Sequence, residues 1–143
     1  MVDHDYVNGF WFGRNESTAN SFGGGIKESS PPYGRYITAA DGQWNIIGNQ
    51  RNGTTHNIWN NGNWTTRATG TVTGTATTSN VVGIGGWYNN STQQAVNIDI
   101  AELVFYDANI SDTNRENLEG YLAWKYGLTG NLPPNHPYKN TPP

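Results

Sequence analysis

Two Asn-Gly dipeptides lie nine residues apart, at Asn52-Gly53 and Asn61-Gly62. Asn-Gly is the pair that most readily places two successive residues at positive φ. A type I′ turn requires this, and its twist matches the twist of the antiparallel strands it joins. Each pair is flanked by aromatic and β-branched residues: Trp44-Asn45-Ile46-Ile47 before, Thr55-His56-Asn57-Ile58-Trp59 between, and Trp64-Thr65-Thr66 after. The spacing predicts an antiparallel meander with strands over 43–48, 55–59 and 63–67.

Further strands follow from the same signals. Gly9-Phe10-Trp11-Phe12-Gly13 is a short apolar run between glycines and reads as the first strand, and 33–38 alternates as a strand does. Thr69, Thr71, Thr73 and Thr75 alternate with Gly70, Val72, Gly74 and Ala76, so a strand there carries its threonines on one face. Residues 81–88 read as a strand ending in a Gly-rich turn. Their Gly83-x-Gly85-Gly86 spacing is no nucleotide loop, because no helix follows it. Residues 97–106 form the longest apolar strand and are expected at the centre of the sheet, with Leu103 and Phe105 in the core.

One helix is predicted over about 111–127. Ser111 and Thr113 are N-cap types, Thr113 with Glu116 fits a capping box, and Asp112 suits the positive end of the helix dipole. Leu118, Tyr121, Leu122 and the stem of Lys125 share one face, and Gly127 suits the C′ position. Leu132-Pro133-Pro134-Asn135-His136-Pro137 is expected to run extended, since a residue before proline avoids the helical region. The pattern as a whole is all-β, a sandwich or a barrel, with a single closing helix.

Composition narrows the function. At 143 residues one domain is expected, long enough to bury a core without staples, and there is no Cys for disulfide or thiol chemistry. Charged residues make up 13% and the net charge is -3, which argues against nucleic acid. Six Trp and eight Tyr argue against disorder. No apolar run follows the opening Met1-Val2-Asp3-His4-Asp5, so neither a signal peptide nor a membrane span is expected. The chain is expected to be made in the cytoplasm, or to be a piece of something larger.

The strongest catalytic look-alike is Asn97-Ile98-Asp99-Ile100-Ala101-Glu102. Jelly-roll β-glucanases carry Glu-x-Asp-x-x-Glu on one strand, and retention needs the outer carboxyls about 5–5.5 Å apart. Here Asn97 stands where the nucleophile would, and an amide cannot form the glycosyl ester. An enzyme is therefore not expected. His4, His56 and His136 have no metal spacing and read as surface or tail residues. Asp41, Asp99 and Asp107 could ligate calcium, but no Asp-rich loop gathers them, so no cofactor is expected. Trp87, Tyr88, Asn89 and Asn90 are the candidate carbohydrate-binding residues, with aromatic faces to stack on a sugar ring and amides to bond its hydroxyls. The plainer reading makes Trp87 a plug at the end of the sheets.

Three stretches together carry a resemblance. Gly42-Gln43-Trp44-Asn45-Ile46-Ile47, Arg51-Asn52-Gly53-Thr54 and Ile58-Trp59-Asn60-Asn61-Gly62 form the first. Ile98-Asp99-Ile100-Ala101-Glu102-Leu103-Val104-Phe105-Tyr106-Asp107 is the second. The third is the closing segment from Ile110-Ser111-Asp112 through Glu116-Asn117-Leu118-Glu119-Gly120-Tyr121-Leu122-Ala123-Trp124-Lys125-Tyr126-Gly127-Leu128 to Leu132-Pro133-Pro134-Asn135-His136-Pro137-Tyr138. Together they resemble the laminin G-like, concanavalin A-like domains of phage and environmental viral proteins and of large bacterial surface proteins. The resemblance implies a single domain over 1–138, short at its N-terminal side, with 139–143 as a tail. It implies a two-sheet jelly-roll-like sandwich with a C-terminal helix and an extended Pro-rich tail. The function it implies is a non-enzymatic bacteriophage virion component: a capsid decoration, fibre or adhesion module. The alternative is a carbohydrate-binding module of a surface protein, and third a glycoside hydrolase relative without its nucleophile. The partners implied are other virion or surface-protein chains and glycans, in an oligomeric assembly on a virion or cell exterior.

Overall fold

The computed structural model describes residues 2–3, 10–14, 19–26, 33–72, 83–84, 86–89, 92–95 and 98–143. The described chain is mostly β, with antiparallel sheets and one helix. One sheet holds β1 (Val2–Asp3), β2 (Phe10–Arg14), β3 (Ser21–Ile26), β4 (Tyr33–Thr38) and β8 (Gly83–Ile84) in the order β4-β3-β2-β1-β8. A second holds β5 (Ile47–Asn52), β6 (Thr55–Asn60) and β7 (Ala68–Thr71), with β6 in the middle. β9 (Gly86–Asn89) and β10 (Thr92–Ala95) form a separate pair. The helix α1 spans Asp112–Lys125, and no helix among the described residues is long and apolar enough to cross a membrane.

The strands expected at Phe10 and over 33–38 are present as β2 and β4. The meander is also present, with its turns adjusted. Asn52 pairs with Thr55, so the first loop is Gly53-Thr54. Only Gly53 takes positive φ there, at 57°, which is the signature of a II′ turn rather than I′. At the second turn both Asn61 (49°) and Gly62 (70°) are positive, and the Asn63 N–H donates to the Asn60 carbonyl at 2.8 Å. That is the type I′ geometry. The strand expected over 63–67 is instead a 3-10 turn, Trp64–Thr66, and the third strand begins at Ala68. Local side-chain contacts favour the turn: the Trp64 ring meets Trp59 edge-on at 4.9 Å, and the Arg67 guanidinium stands 4.5 Å from its centroid. In β7, Thr69 and Thr71 are exposed while Ala68 and Gly70 are half-buried, as the alternation predicts. Thr73 and Thr75 lie outside the described residues.

The central position belongs to β6, not to 97–106. His56, Asn57, Ile58 and Trp59 are all buried, so both faces of β6 are covered. On one face Ile58 reaches Gly24 of β3, and β4 packs on β6 and β7. The other face carries Trp59 towards α1. Asn97 lies outside the described residues, and 98–110 has no helix or strand. Phe105 is 61% exposed and Tyr106 55%. An apolar run marks a core strand only where a ladder receives it. Here Glu102 is tied to the C-terminal end of α1 by Lys125 and Tyr126, which holds the segment at the surface.

Of the two N-cap candidates the helix starts on Ser111, without the Thr113 box: the Ser111 hydroxyl accepts the Asn114 N–H at 3.2 Å, and Asp112 falls in the first turn as expected. Gly127 sits at φ 70°, and the Leu128 N–H donates back to the Ala123 carbonyl at 2.7 Å, the long bond of a Schellman ending. The buried face is Arg115, Glu119, Gly120 and Ala123, whereas Tyr121 and Lys125 of the expected apolar face are exposed. Ile46, Ala123 and Leu132 make a small core between α1 and the second sheet. The closing segment is not extended. The His136 N–H donates to the Pro133 carbonyl and the Lys139 N–H to the His136 carbonyl, both at 3.0 Å, giving consecutive turns that fold the chain back. Pro134 presets φ for the first of them.

Candidate functional site

Burying Arg115 and Glu119 on one face creates a problem of charge that the surrounding chain solves. The Arg115 guanidinium donates from Nη1 to both Glu119 oxygens, at 3.0 and 2.9 Å. The Trp59 indole N–H donates to Glu119 Oε1, and His136 Nε2 lies 3.1 Å from Glu119 Oε2. A carboxylate only accepts, so Nε2 carries the ring proton. The Tyr138 N–H donates to His136 Nδ1 at 3.2 Å, which assigns the neutral Nε2–H tautomer. The Arg115 and Glu119 side chains are each 4% exposed. The guanidinium also stands 4.5 Å from the Trp64 centroid, so two arginines, Arg67 and Arg115, crowd that ring.

Arg115, His136 and Trp64 of this cluster form one wall of a cleft of about 210 Å³ where the 3-10 turn, the first turn of α1 and the closing segment meet. Asn63, Trp64, Thr65, Asp112, Glu116 and Asn135 line it. The Asn61-Gly62 turn makes its geometry. A side chain at Gly62 would collide with His136 and Leu132, so the residue that supplies positive φ also lets the closing segment approach. Within the wall, Arg115 Nε is the one buried side-chain donor or acceptor among the described residues that makes no hydrogen bond. Its nearest ionic neighbour, Asp112 Oδ1, is 3.5 Å away.

A second cluster sits at the C-terminal end of the helix. Lys125 Nζ donates to Glu102 Oε2 at 3.0 Å and to the Tyr121 hydroxyl at 2.8 Å, and the Tyr126 hydroxyl donates to Glu102 Oε2 at 3.0 Å. Hydrogen bonds from Lys125 and Tyr126 hold the Glu102 carboxyl below its usual range. Those to Tyr121 and Glu102 push Lys125 up, and burial followed by Glu102 pushes Tyr126 up. Glu102 is thus fixed as an anion in an ion pair, a poor general acid. Of the nine large apolar side chains exposed among the described residues, seven fall between Ile100 and Tyr126, so the exposed aromatic surface is concentrated beside this cluster.

The sequence candidates are distributed differently from expectation. Trp87, Tyr88 and Asn89 stand in β9, paired with Gln94, Gln93 and Thr92. Asn90 and His4 lie outside the described residues. His136 and His56 are buried, not surface residues. His56 Nε2 lies 2.6 Å from Asn49 Oδ1. Burial, then the charges of Arg35 and Arg51, lower its pKa to about 4. Asp41 accepts the Asn20 N–H at 3.1 Å and ties two turns together. Among the described residues no three His, Cys, Asp or Glu side chains gather as a metal site. Sequence reasoning missed Arg115, Glu119 and His136; the available signal was the i,i+4 Arg–Glu pair in phase with Ala123.

No family model matches the chain. No curated protein and no solved structure matches it either.

Proposed function

We propose that the chain is a non-catalytic structural module of a particle surface, of the bacteriophage decoration, fibre or adhesion kind that its sequence resemblance implies, built as a jelly-roll-like sandwich. The observation that carries this is the apolar surface of Ile100, Val104, Tyr106, Tyr121 and Trp124, each about two-fifths exposed or more. Apolar area concentrated in this way marks a contact surface. The carboxylates nearby support the non-catalytic reading. Glu102 is held by Lys125 and Tyr126, and Glu119 by Arg115, Trp59 and His136, so neither is poised as an acid or nucleophile. The occupant of the surface is a neighbouring chain of the same assembly. Sedimentation velocity and urea unfolding of the isolated chain test this. The expected result is a defined oligomer, or aggregation until a partner chain is supplied, with the Val104→Ser/Tyr106→Ser variant released to monomer. A monomer at every concentration with one cooperative transition refutes it.

The second reading is a carbohydrate-binding module. The cleft favours it, because amide, hydroxyl and carboxylate groups converge there with aromatic and proline edges.

A further inference from the structure

We infer that the cleft between the Trp64 turn and the start of α1 is a subsite for one neutral sugar ring, held by its hydroxyls. The inference rests on the carbohydrate-binding reading and moves its site away from Trp87 and Tyr88. The size is the first argument. At about 210 Å³ the cleft is smaller than the roughly 300–1,000 Å³ of pockets for drug-sized ligands. It suits a single ring, such as a terminal residue of a glycan.

Charge and hydrogen-bonding capacity are the second argument. Arg115 Nε is a buried donor that makes no hydrogen bond, its nearest acceptor Asp112 Oδ1 standing 3.5 Å away as an ion-pair partner, and a buried unsatisfied donor calls for a closer oxygen. An anion is a poor candidate, since Asp112 and Glu116 both line the cleft and Glu119 already compensates Arg115. A hydroxyl resolves both demands. Its oxygen accepts from Arg115 Nε, while its proton, or that of the next hydroxyl on the ring, goes to the Asp112 or Glu116 carboxylate. Asn63 and Asn135 supply amides that both donate and accept, and Thr65 adds a hydroxyl. Pro133 and Pro137 offer C–H surface. Trp64 contributes its edge rather than its face, because Arg67 and Arg115 each stand 4.5 Å from its centroid. Recognition here is by hydrogen bonds, with no stacking platform. The cleft lies at the first turn of α1, and the aromatic surface gathers beside its last turns. A 14-residue helix separates them by about 20 Å, so assembly and sugar binding are separable.

The test is a saturation-transfer NMR titration of the whole chain with methyl glycosides of glucose, galactose, mannose and N-acetylglucosamine, with inorganic phosphate as the anionic control. The expected result is saturable binding of at least one glycoside. Asp112→Ala and Asn135→Ala, both at exposed positions, should each weaken it about tenfold, as loss of one hydrogen bond to a charged or well-placed partner does, with the urea midpoint unchanged in Asn135→Ala and slightly lowered in Asp112→Ala, which also loses its place at the helix dipole and beside Arg115. Trp87→Ala should leave it intact. If a glycoside binds but the cleft variants bind as wild type, the cleft is wrong and the module reading survives. If binding vanishes only in Trp87→Ala, the site returns to β9. If no glycoside binds, or phosphate displaces the bound one, the inference fails.

Discussion

His56 makes the chain's stability depend on pH in a way the structure quantifies. The ring is 1% exposed, bonded to Asn49 and near the charges of Arg35 and Arg51, and its pKa falls from 6.5 to about 4. Between those two values the unfolded chain binds a proton that the native ring does not. Stability from this group is therefore complete above pH 6.5, is lost as pH falls through the window, and levels off near 4. At about 1.4 kcal/mol per unit over 2.5 units the loss is about 3 kcal/mol, a large share of the total for a small domain. Urea unfolding followed by Trp fluorescence across this window measures it. The informative quantity is the difference between wild type and His56→Gln, which isolates this one ring. That difference should grow in favour of the variant as pH falls. An NMR titration gives the same answer for the single ring. A His56 ring that titrates near 6.5, or a difference curve that is flat with pH, refutes the reasoning.

Glu119→Gln takes from Arg115 its one buried counter-charge, leaving the more distant Glu116 and Asp112 carboxylates, and should cost about 3 kcal/mol, read from the urea midpoint. The paired replacement Arg115→Met/Glu119→Leu removes both buried charges but leaves the Trp59 and His136 N–H donors without their acceptor, at about 1–3 kcal/mol each, so it should cost about as much as that single change. In β5, a methyl at Gly48 would overlap the Trp59 ring, which lies across it. Gly48→Ala should cost about 1–3 kcal/mol and shift the Trp emission, because Trp59 must move off Glu119.

The parts of the fold legible in the sequence were those decided locally. Gly53 and Gly62 fix both turns through their own φ, whatever packs around them. Phe10–Arg14, Tyr33–Thr38 and the helix near Ser111 were readable for the same reason: alternation and capping are short-range. What failed needed knowledge of partners. Residues 98–107 have the composition of a core strand, yet Glu102 anchors them to Lys125 and Tyr126 on the surface. The third strand of the meander slipped to Ala68 because Trp64 packs on Trp59 and beneath Arg67. No window of sequence contains that contact's energy.

The candidate site was illegible for a deeper reason. Pattern reading assigns the buried face of a helix to its apolar residues, and Leu118, Tyr121 and Leu122 were the obvious choice. The chain instead buries Arg115 and Glu119 beside Ala123, an arrangement that apolar side chains of similar volume would often stabilise better. Those two charges do what leucines could not. Glu119 gives the Trp59 indole and the His136 ring a common acceptor, and so fastens the central strand and the closing segment to one carboxylate. Arg115, held in place by that carboxylate, keeps an unsatisfied donor at the wall of the cleft. The cost in stability and the orphaned N–H thus arise from the same pair. Arg115→Lys separates the two consequences: an ammonium keeps a positive charge beside Glu119 and leaves the Trp59 and His136 bonds in place but has no Nε donor, so the fold should survive and the sugar titration of the cleft should lose its signal.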